Sequence, residues 1–150
     1  MFRGIIGGRY GGTTDSGYVE ARILIPRFNV QASMSFMIDT GASRTMLSPA
    51  DLERLNIDYG QLTGSVKSNG IGGFANQKEE PASVIFWVKE GFYLYRVKLC
   101  IPRKTKASMQ LPSLLGRDVL NRMKMTYNGH ARRLTFQVMT FDAFLPWDAI

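Results

Sequence analysis

Phe36-Met37-Ile38-Asp39-Thr40-Gly41-Ala42-Ser43 is the stretch on which the reading of this chain turns. An apolar run leads into an acid, a hydroxyl residue and a glycine, and small residues follow. Such a run fits a buried strand that holds a carboxylate rigidly at its tip. Thr40 offers a hydroxyl able to lock the loop, and Gly41 lets the backbone turn tightly while leaving space beside it. The tripeptide alone says little. Asp, Ser and Gly are ordinary turn residues, and Asp-[Thr/Ser]-Gly arises by chance in roughly one chain in fifteen of this length. A near-copy, Asp15-Ser16-Gly17, is present in this chain. It follows Thr13-Thr14 and precedes a strand pattern instead of ending one, so it reads as a turn.

Upstream of Asp39, residues 18–25 alternate, with Val19, Ala21, Ile23 and Ile25 on one face, and Pro26 closes the strand. A second strand runs to Ile38 with Met34, Phe36 and Ile38 inward. Downstream, Ser48-Pro49-Ala50-Asp51 opens a short helix. Ser48 is its N-cap, Pro49 takes the first helical position, and Asp51 stands where a capping-box acid belongs. Leu52 and Leu55 supply its buried side.

Residues 60–80 are polar and rich in Gly, Ser and Asn, with Gly70-Ile71-Gly72-Gly73 in the middle. Residues 83–88 and 92–101 read as strands, and 102–112 as a basic loop. Leu114-Leu115-Gly116 is brief and apolar, and residues 117–123 make one or two helical turns. Short strands at 125–127 and 134–138 flank the hairpin dipeptide Asn128-Gly129. Residues 1–12 form a glycine-rich arm or a short edge strand, without phosphate-loop spacing. The apolar tail, residues 139–150, carries Phe141, Phe144, Leu145 and Trp147. Packing at a dimer interface and capping the chain's own core both suit it. The sum is a single mostly β domain over residues 1–150 with two short helices.

Composition narrows the chemistry. With 150 residues, 45% of them apolar and 21% charged, the chain reads as an ordinary globular domain. The lone cysteine, Cys100, excludes an intrachain disulfide and a Cys-based zinc site. The lone histidine, His130, follows Asn128-Gly129 and reads as a turn residue, which leaves a Ser or Cys nucleophile without its usual base. No signal-like start and no apolar run of membrane-span length are present, so a cytoplasmic location without a membrane is expected. The net charge is +7. Its densest spots, Arg103-Lys104-Thr105-Lys106 and Arg132-Arg133, lack interleaved aromatics and read as solvated surface, not as a nucleic-acid face.

A further segment, Leu114-Leu115-Gly116-Arg117-Asp118 before a short helix, completes a pattern. With Asp39-Thr40-Gly41-Ala42-Ser43 and Gly70-Ile71-Gly72-Gly73 in this order, residues 18–138 resemble the retropepsins. These are the homodimeric aspartic peptidases of retroviruses and their cellular and bacterial relatives, and this chain looks closest to bacterial members. The resemblance implies an all-β fold: a single-lobed closed β-barrel of the acid protease type with one or two short helices. It implies an aspartic endopeptidase, active as a homodimer on a peptide or protein held in extended conformation, with no cofactor and no metal. Asp39 would be the catalytic residue, with Thr40 and Gly41 in the active-site loop. Thr40 would bond across the dimer axis to its counterpart. Ala42, Ser43, Gly70, Ile71, Gly72 and Gly73 would contact substrate, residues 70–74 as a flap tip. Leu115, Gly116 and Arg117 would support the site and the dimer. There is one departure: viral members often carry Asp where Ser43 stands, and that Asp pairs with the arginine. Ser43 cannot, and Asp118 and Arg44 stand as substitutes for the contact.

This chemistry needs two carboxylates on one water. A bilobal enzyme draws both from one chain, but Asp15 is too near Asp39 to define a second lobe, so the active unit is expected to be a symmetric dimer. Two other readings remain: a non-catalytic dimeric peptide-binding module of the same fold, and a basic nucleic-acid-binding β-barrel. The intact Asp39-Thr40-Gly41 speaks against the first, and the missing nucleic-acid signatures against the second.

Overall fold

The computed structural model describes residues 4–12, 15–62, 64–66 and 77–149. Its elements run, in chain order, β1 (Ile5–Gly7), β2 (Arg9–Gly11), β3 (Ser16–Ile25), β4 (Val30–Ile38), α1 (Pro49–Arg54), β5 (Gly64–Val66), β6 (Gln77–Trp87), β7 (Gly91–Ile101), β8 (Leu114–Leu115), α2 (Arg117–Leu120), β9 (Met123–Asn128), β10 (Arg133–Val138) and β11 (Ala143–Pro146). The chain is mostly β with two short helices, as expected.

Alternation explains the central pair. Val19, Ala21, Ile23 and Ile25 of β3 are buried, as are Met34 and Phe36 of β4, so both strands turn one face to a shared core. A single 3-10 turn, Pro26–Phe28, reverses the chain between them, and Asn29 ends it in the left-handed region at φ 53°. The two strands then pair antiparallel from Tyr18↔Met37 to Ile25↔Val30.

The larger sheet has the order β11-β7-β6-β3-β4-β8, with β2 against β3 and β5 against β6. Its last step is parallel: Met37↔Leu114 and Ile38↔Leu115. Taken alone, these ladders give an open sheet, not the closed barrel of the expectation. Isolated bridges from Met46 to Cys100 of β7 and to Leu114 of β8 tie the end strand back towards β7. A smaller sheet, β1-β10-β9, uses the start of the glycine-rich arm as an edge strand.

One segment differs from the sequence reading, and a second takes one of its two alternatives. The strand expected from residue 83 begins at Gln77. Glu79-Glu80-Pro81 looks like a strand breaker, but Glu80 is buried and accepts from Arg27 Nη2 at 2.6 Å and Nε at 3.1 Å. Pro81 falls in the gap between the β5 ladder at 77–79 and the β3 ladder at 83–85, which suits a residue without an N–H. The apolar tail caps its own sheet. β11 pairs with β7, Phe141 and Phe144 meet the Tyr93 ring, and Trp147 lies on Phe92 with ring centroids 4.4 Å apart. At the β6–β7 hairpin, Gly91 has φ +156°, and a Cβ there would stand 2.2 Å from the Leu145 carbonyl oxygen.

Helix α1 follows its sequence signals. Ser48 caps it by accepting from the Asp51 N–H, Pro49 occupies the first turn, and Leu52 is buried. No helix among the described residues is long and apolar enough to cross a membrane.

Candidate active site

Asp39 stands one residue beyond β4, half-buried, where the strand leaves its parallel pairing with β8. Its backbone N–H donates to the Leu115 carbonyl at 3.1 Å, which continues that pairing by one residue. Asp39 is therefore anchored through its main chain, and its side chain is left to the loop. There the Gly41 N–H donates to Asp39 Oδ1 at 2.9 Å, and the Ala42 N–H donates to the Asp39 carbonyl at 3.2 Å. A Cβ on Gly41 would come within 3.1 Å of the same Oδ1, so any larger residue presses on the carboxylate. Thr40, Gly41 and Ser43 are exposed and Ala42 is half-buried.

Gly116 and Arg117 meet this loop directly. The Arg117 N–H donates to the Ala42 carbonyl at 2.8 Å, and Arg117 Nη1 donates to the Thr40 carbonyl at 2.8 Å. Gly116 is pressed against the loop backbone: a Cβ there would stand 2.5 Å from the Arg44 carbonyl carbon and oxygen and 3.0 Å from the Ala42 oxygen. Leu115 is fully buried beneath them.

The departure at Ser43 is thus resolved without an ion pair, because Arg117 reaches a main-chain carbonyl instead of a carboxylate. Of the two substitutes, Arg44 turns away to Glu79 Oε2 at 2.5 Å and to the Lys98 carbonyl at 3.1 Å. Asp118 binds Thr45 and not Arg117. Its Oδ2 accepts from the Thr45 N–H at 2.9 Å and its Oδ1 from the Thr45 hydroxyl at 2.7 Å. The same hydroxyl accepts from the Gly116 N–H at 3.2 Å. This clasp escaped the sequence reading, although Asp118 next to Arg117 at a helix start was its visible signal. A second network also went unseen: Ser113 Oγ donates to Asp51 Oδ2 at 2.6 Å and accepts from the Ser48 N–H at 2.9 Å.

The remaining candidates sort cleanly. Gly70, Ile71, Gly72 and Gly73 lie outside the described residues. Asp15 sits in an exposed turn at φ 55°, bonded to Arg132, whose guanidinium holds the carboxyl below its usual range. That fits the turn reading and leaves Asp39 as the motif on a strand end. His130 is exposed in the β9–β10 turn. Cys100 is buried, and burial pushes its thiol pKa up against the opposing pull of Arg44, which disfavours the nucleophilic thiolate. Among the described residues no group of three or more His, Cys, Asp or Glu could hold a metal ion. A surface hollow lined by Pro26, Pro81, Ala82, Ser83, Arg96, Val97 and Lys98 contains none of the motif residues.

The aspartyl protease family model matches residues 26–119, a span that includes Asp39-Thr40-Gly41 and Gly116-Arg117-Asp118. The crystal structure of a retropepsin-like aspartic protease from Rickettsia conorii is similar at 21% identity over 89% of each chain, with a TM-score of 0.57. EIAV protease, complexed with the inhibitor HBY-793, is 19% identical over 74% of this chain and 90% of its own, with a TM-score of 0.42. Among curated proteins nothing matches. The chain belongs to the aspartyl protease family, an aspartic-type hydrolase whose fold is retropepsin-like.

Proposed function

We propose that this chain is an aspartic endopeptidase that works as a homodimer, with one Asp39 from each copy acting on a single water. The observation that carries the proposal is the fixing of Asp39 from two sides. Its main chain is bonded to Leu115, its carboxylate accepts from the Gly41 N–H, and Arg117 braces the carbonyl of the intervening Thr40. A carboxylate held in this way is pre-organised for proton transfer.

Two carboxylates about 3 Å apart cannot both ionise, so the pair carries one shared proton. The ionised Asp39 takes a proton from water as its oxygen attacks the scissile carbonyl carbon. The protonated Asp39 gives its proton to the carbonyl oxygen. The tetrahedral gem-diol then collapses, the C–N bond breaks, and the amine leaves with a proton returned from the dyad. No covalent enzyme intermediate forms and no cofactor or metal takes part.

In this reading Thr40 bonds its counterpart across the axis. Gly41, Ala42 and Ser43 present backbone to an extended peptide, and Gly70, Ile71, Gly72 and Gly73 close over it as a flap. Leu115, Gly116 and Arg117 support the loop. The tie at Met46 supports the closed-barrel reading of the sheet.

The test is cleavage of a peptide library from acidic to neutral pH by wild type and Asp39→Asn. Wild type should cut and Asp39→Asn should not, with the same sedimentation behaviour. If neither cuts, the peptide-binding module is the better reading.

A further inference from the structure

We propose that the hollow on the outer face of β6 and β7 is an exosite for an acidic, extended segment of the protein substrate, away from the bond that is cut. Arg96 and Lys98, two residues apart on β7, take carboxylates at alternate positions of that segment. The inference rests on the peptidase reading and names a substrate class for it.

The first observation is how this face is built. Tyr95, Val97 and Leu99 of β7 are buried, so Arg96 and Lys98 between them point outward, and both are exposed. Across the ladder Ser83 pairs with Arg96, and Pro81 with Lys98. On the other side of β6, Leu24 pairs with Ser83. That register, carried on by two residues, sets Pro26 beside Pro81. Both prolines are exposed. The hollow has a volume of about 440 Å³, which lies within the range of ligand sites. It therefore offers two proline rings as an apolar shelf next to two cations.

The second observation is unspent charge. Three acids flank these strands, and each already has an arginine. Glu79 Oε2 accepts from Arg44 at 2.5 Å, the buried Glu80 from Arg27 at 2.6 Å, and Asp142 from Arg122 at 2.8 Å. Lys98 Nζ stands 4.0 Å from Glu79, the limit of an ion pair, with most of its side chain in solvent. Among the described residues Arg96 bonds through its backbone N–H, to Asp142 Oδ2 at 2.7 Å, and its guanidinium makes no hydrogen bond or ion pair. The complement of this hollow is a ligand that carries carboxylates.

The third is spacing and place. Alternate side chains on a strand stand about 7 Å apart, which is also the spacing of residues i and i+2 in an extended peptide. Strand addition is closed here: β6 pairs one side of β7, and on the other Asp142 takes the Arg96 N–H and Arg44 donates to the Lys98 carbonyl at 3.1 Å. Recognition therefore runs through side chains, and the arginine fork suits a carboxylate. The concave shape suits a chain better than a flat anionic membrane. Arg44 also belongs to the segment just after Asp39, so one side chain separates that segment from β7 at Lys98. A protein cut at Asp39 has the hollow within reach of its own flanking residues.

The test compares two peptide substrates with one cleaved sequence, each joined by a Gly/Ser linker of about twenty residues to a tail. One tail carries Glu-Val-Glu and the other Gln-Val-Gln. At low salt the acidic tail should lower KM about fivefold with kcat unchanged, and the gain should fade as salt rises. The gain should vanish in Arg96→Gln, Lys98→Gln and persist in Arg103→Gln, Lys106→Gln, which removes the same charge from the basic loop. A fluorescein-labelled Glu-Val-Glu tail alone should bind Asp39→Asn in anisotropy, roughly tenfold more tightly than when Arg96→Gln and Lys98→Gln are added. Equal KM for both tails, an equal loss in the two charge-removed pairs, or no binding of the labelled tail would each overturn the proposal. So would retention on phosphatidylserine vesicles through Arg96 and Lys98 without a tail effect, which makes the face a membrane contact. If no peptide is cut but the tail binds through Arg96 and Lys98, the hollow stands as an acidic-peptide site and the peptidase reading falls.

Discussion

Asp118 holds Thr45 by both of its donors, the backbone N–H at 2.9 Å and the hydroxyl at 2.7 Å. Thr45 is fully buried, and its hydroxyl also takes the Gly116 N–H. One carboxylate therefore fixes the segment after the Asp39 loop to the start of α2. Asp118→Ala should leave two buried donors without an acceptor, at about 1–3 kcal/mol each. A drop of several degrees in Tm on thermal melting is expected, and Asp118→Asn, which keeps one acceptor oxygen, should lose less. Equal melting of all three proteins would refute the account.

Gly116 has no room for a side chain. Gly116→Ala would force its methyl carbon to 2.5 Å from the Arg44 backbone, so the Asp39 loop or α2 must move. Overpacking of this kind costs roughly 1–3 kcal/mol and at times more. Peptide cleavage should fall along with urea stability. Gly129→Ala, where a Cβ meets only the Tyr127 ring at 3.4 Å, serves as the tolerated comparison.

Arg117 acts on Thr40 through its carbonyl, so both its charge and its fork geometry matter. Arg117→Lys should keep most of the fold and lower kcat more than it raises KM. A misplacement of about 1 Å at such a loop costs on the order of 100-fold in rate. Ser43→Asp supplies a carboxylate in the same loop, and recovery of kcat in the Ser43→Asp, Arg117→Lys pair would show that loop anchoring is what was lost. A pure KM effect for Arg117→Lys would show that it binds substrate instead.

Asp142 predicts part of the acid limit of stability. Hydrogen bonding to Arg122, helped by the Arg96 N–H, holds its carboxyl pKa below the usual aspartate value, against some desolvation. A depressed folded-state pKa means that the unfolded chain binds the proton more readily. This contribution is complete above about pH 4, the ordinary aspartate value, and fades as pH falls through the lower folded value. Asp142→Asn should therefore be less stable than wild type at neutral pH and lose less on acidification below pH 4. Parallel urea titrations at several pH values read this directly, and identical acid limbs would count against it.

How much was legible followed from how local each signal is. Ser48, Pro49 and Asp51 specify the start of α1 within four residues, and the helix begins there. The alternation of Val19, Ala21, Ile23 and Ile25 needs no partner to be read. The start of β6 was hidden because Glu80 becomes a strand residue only with Arg27 beside it, 53 positions away. The tail was ambiguous because its aromatics declare an apolar face without saying which surface takes it, and Tyr93 and Phe92 supply the answer. At the site, the residues that meet could be named from motif order. The Arg117–Thr40 contact could not, because its acceptor is a main-chain carbonyl that no side-chain pattern encodes.

The chain has two tryptophans, and both lie at the β6–β7 hairpin: Trp87 ends β6, and Trp147 rests on Phe92 with its indole N–H on the Val88 and Lys89 carbonyls. Neither belongs to the Asp39 loop or to the segments hydrogen-bonded to it. Intrinsic fluorescence excited at the indole band therefore reports undocking of the tail. The Asp39 loop carries no tryptophan and is silent in this band, so a ligand titration at that loop followed by emission needs a fluorophore carried by the ligand itself.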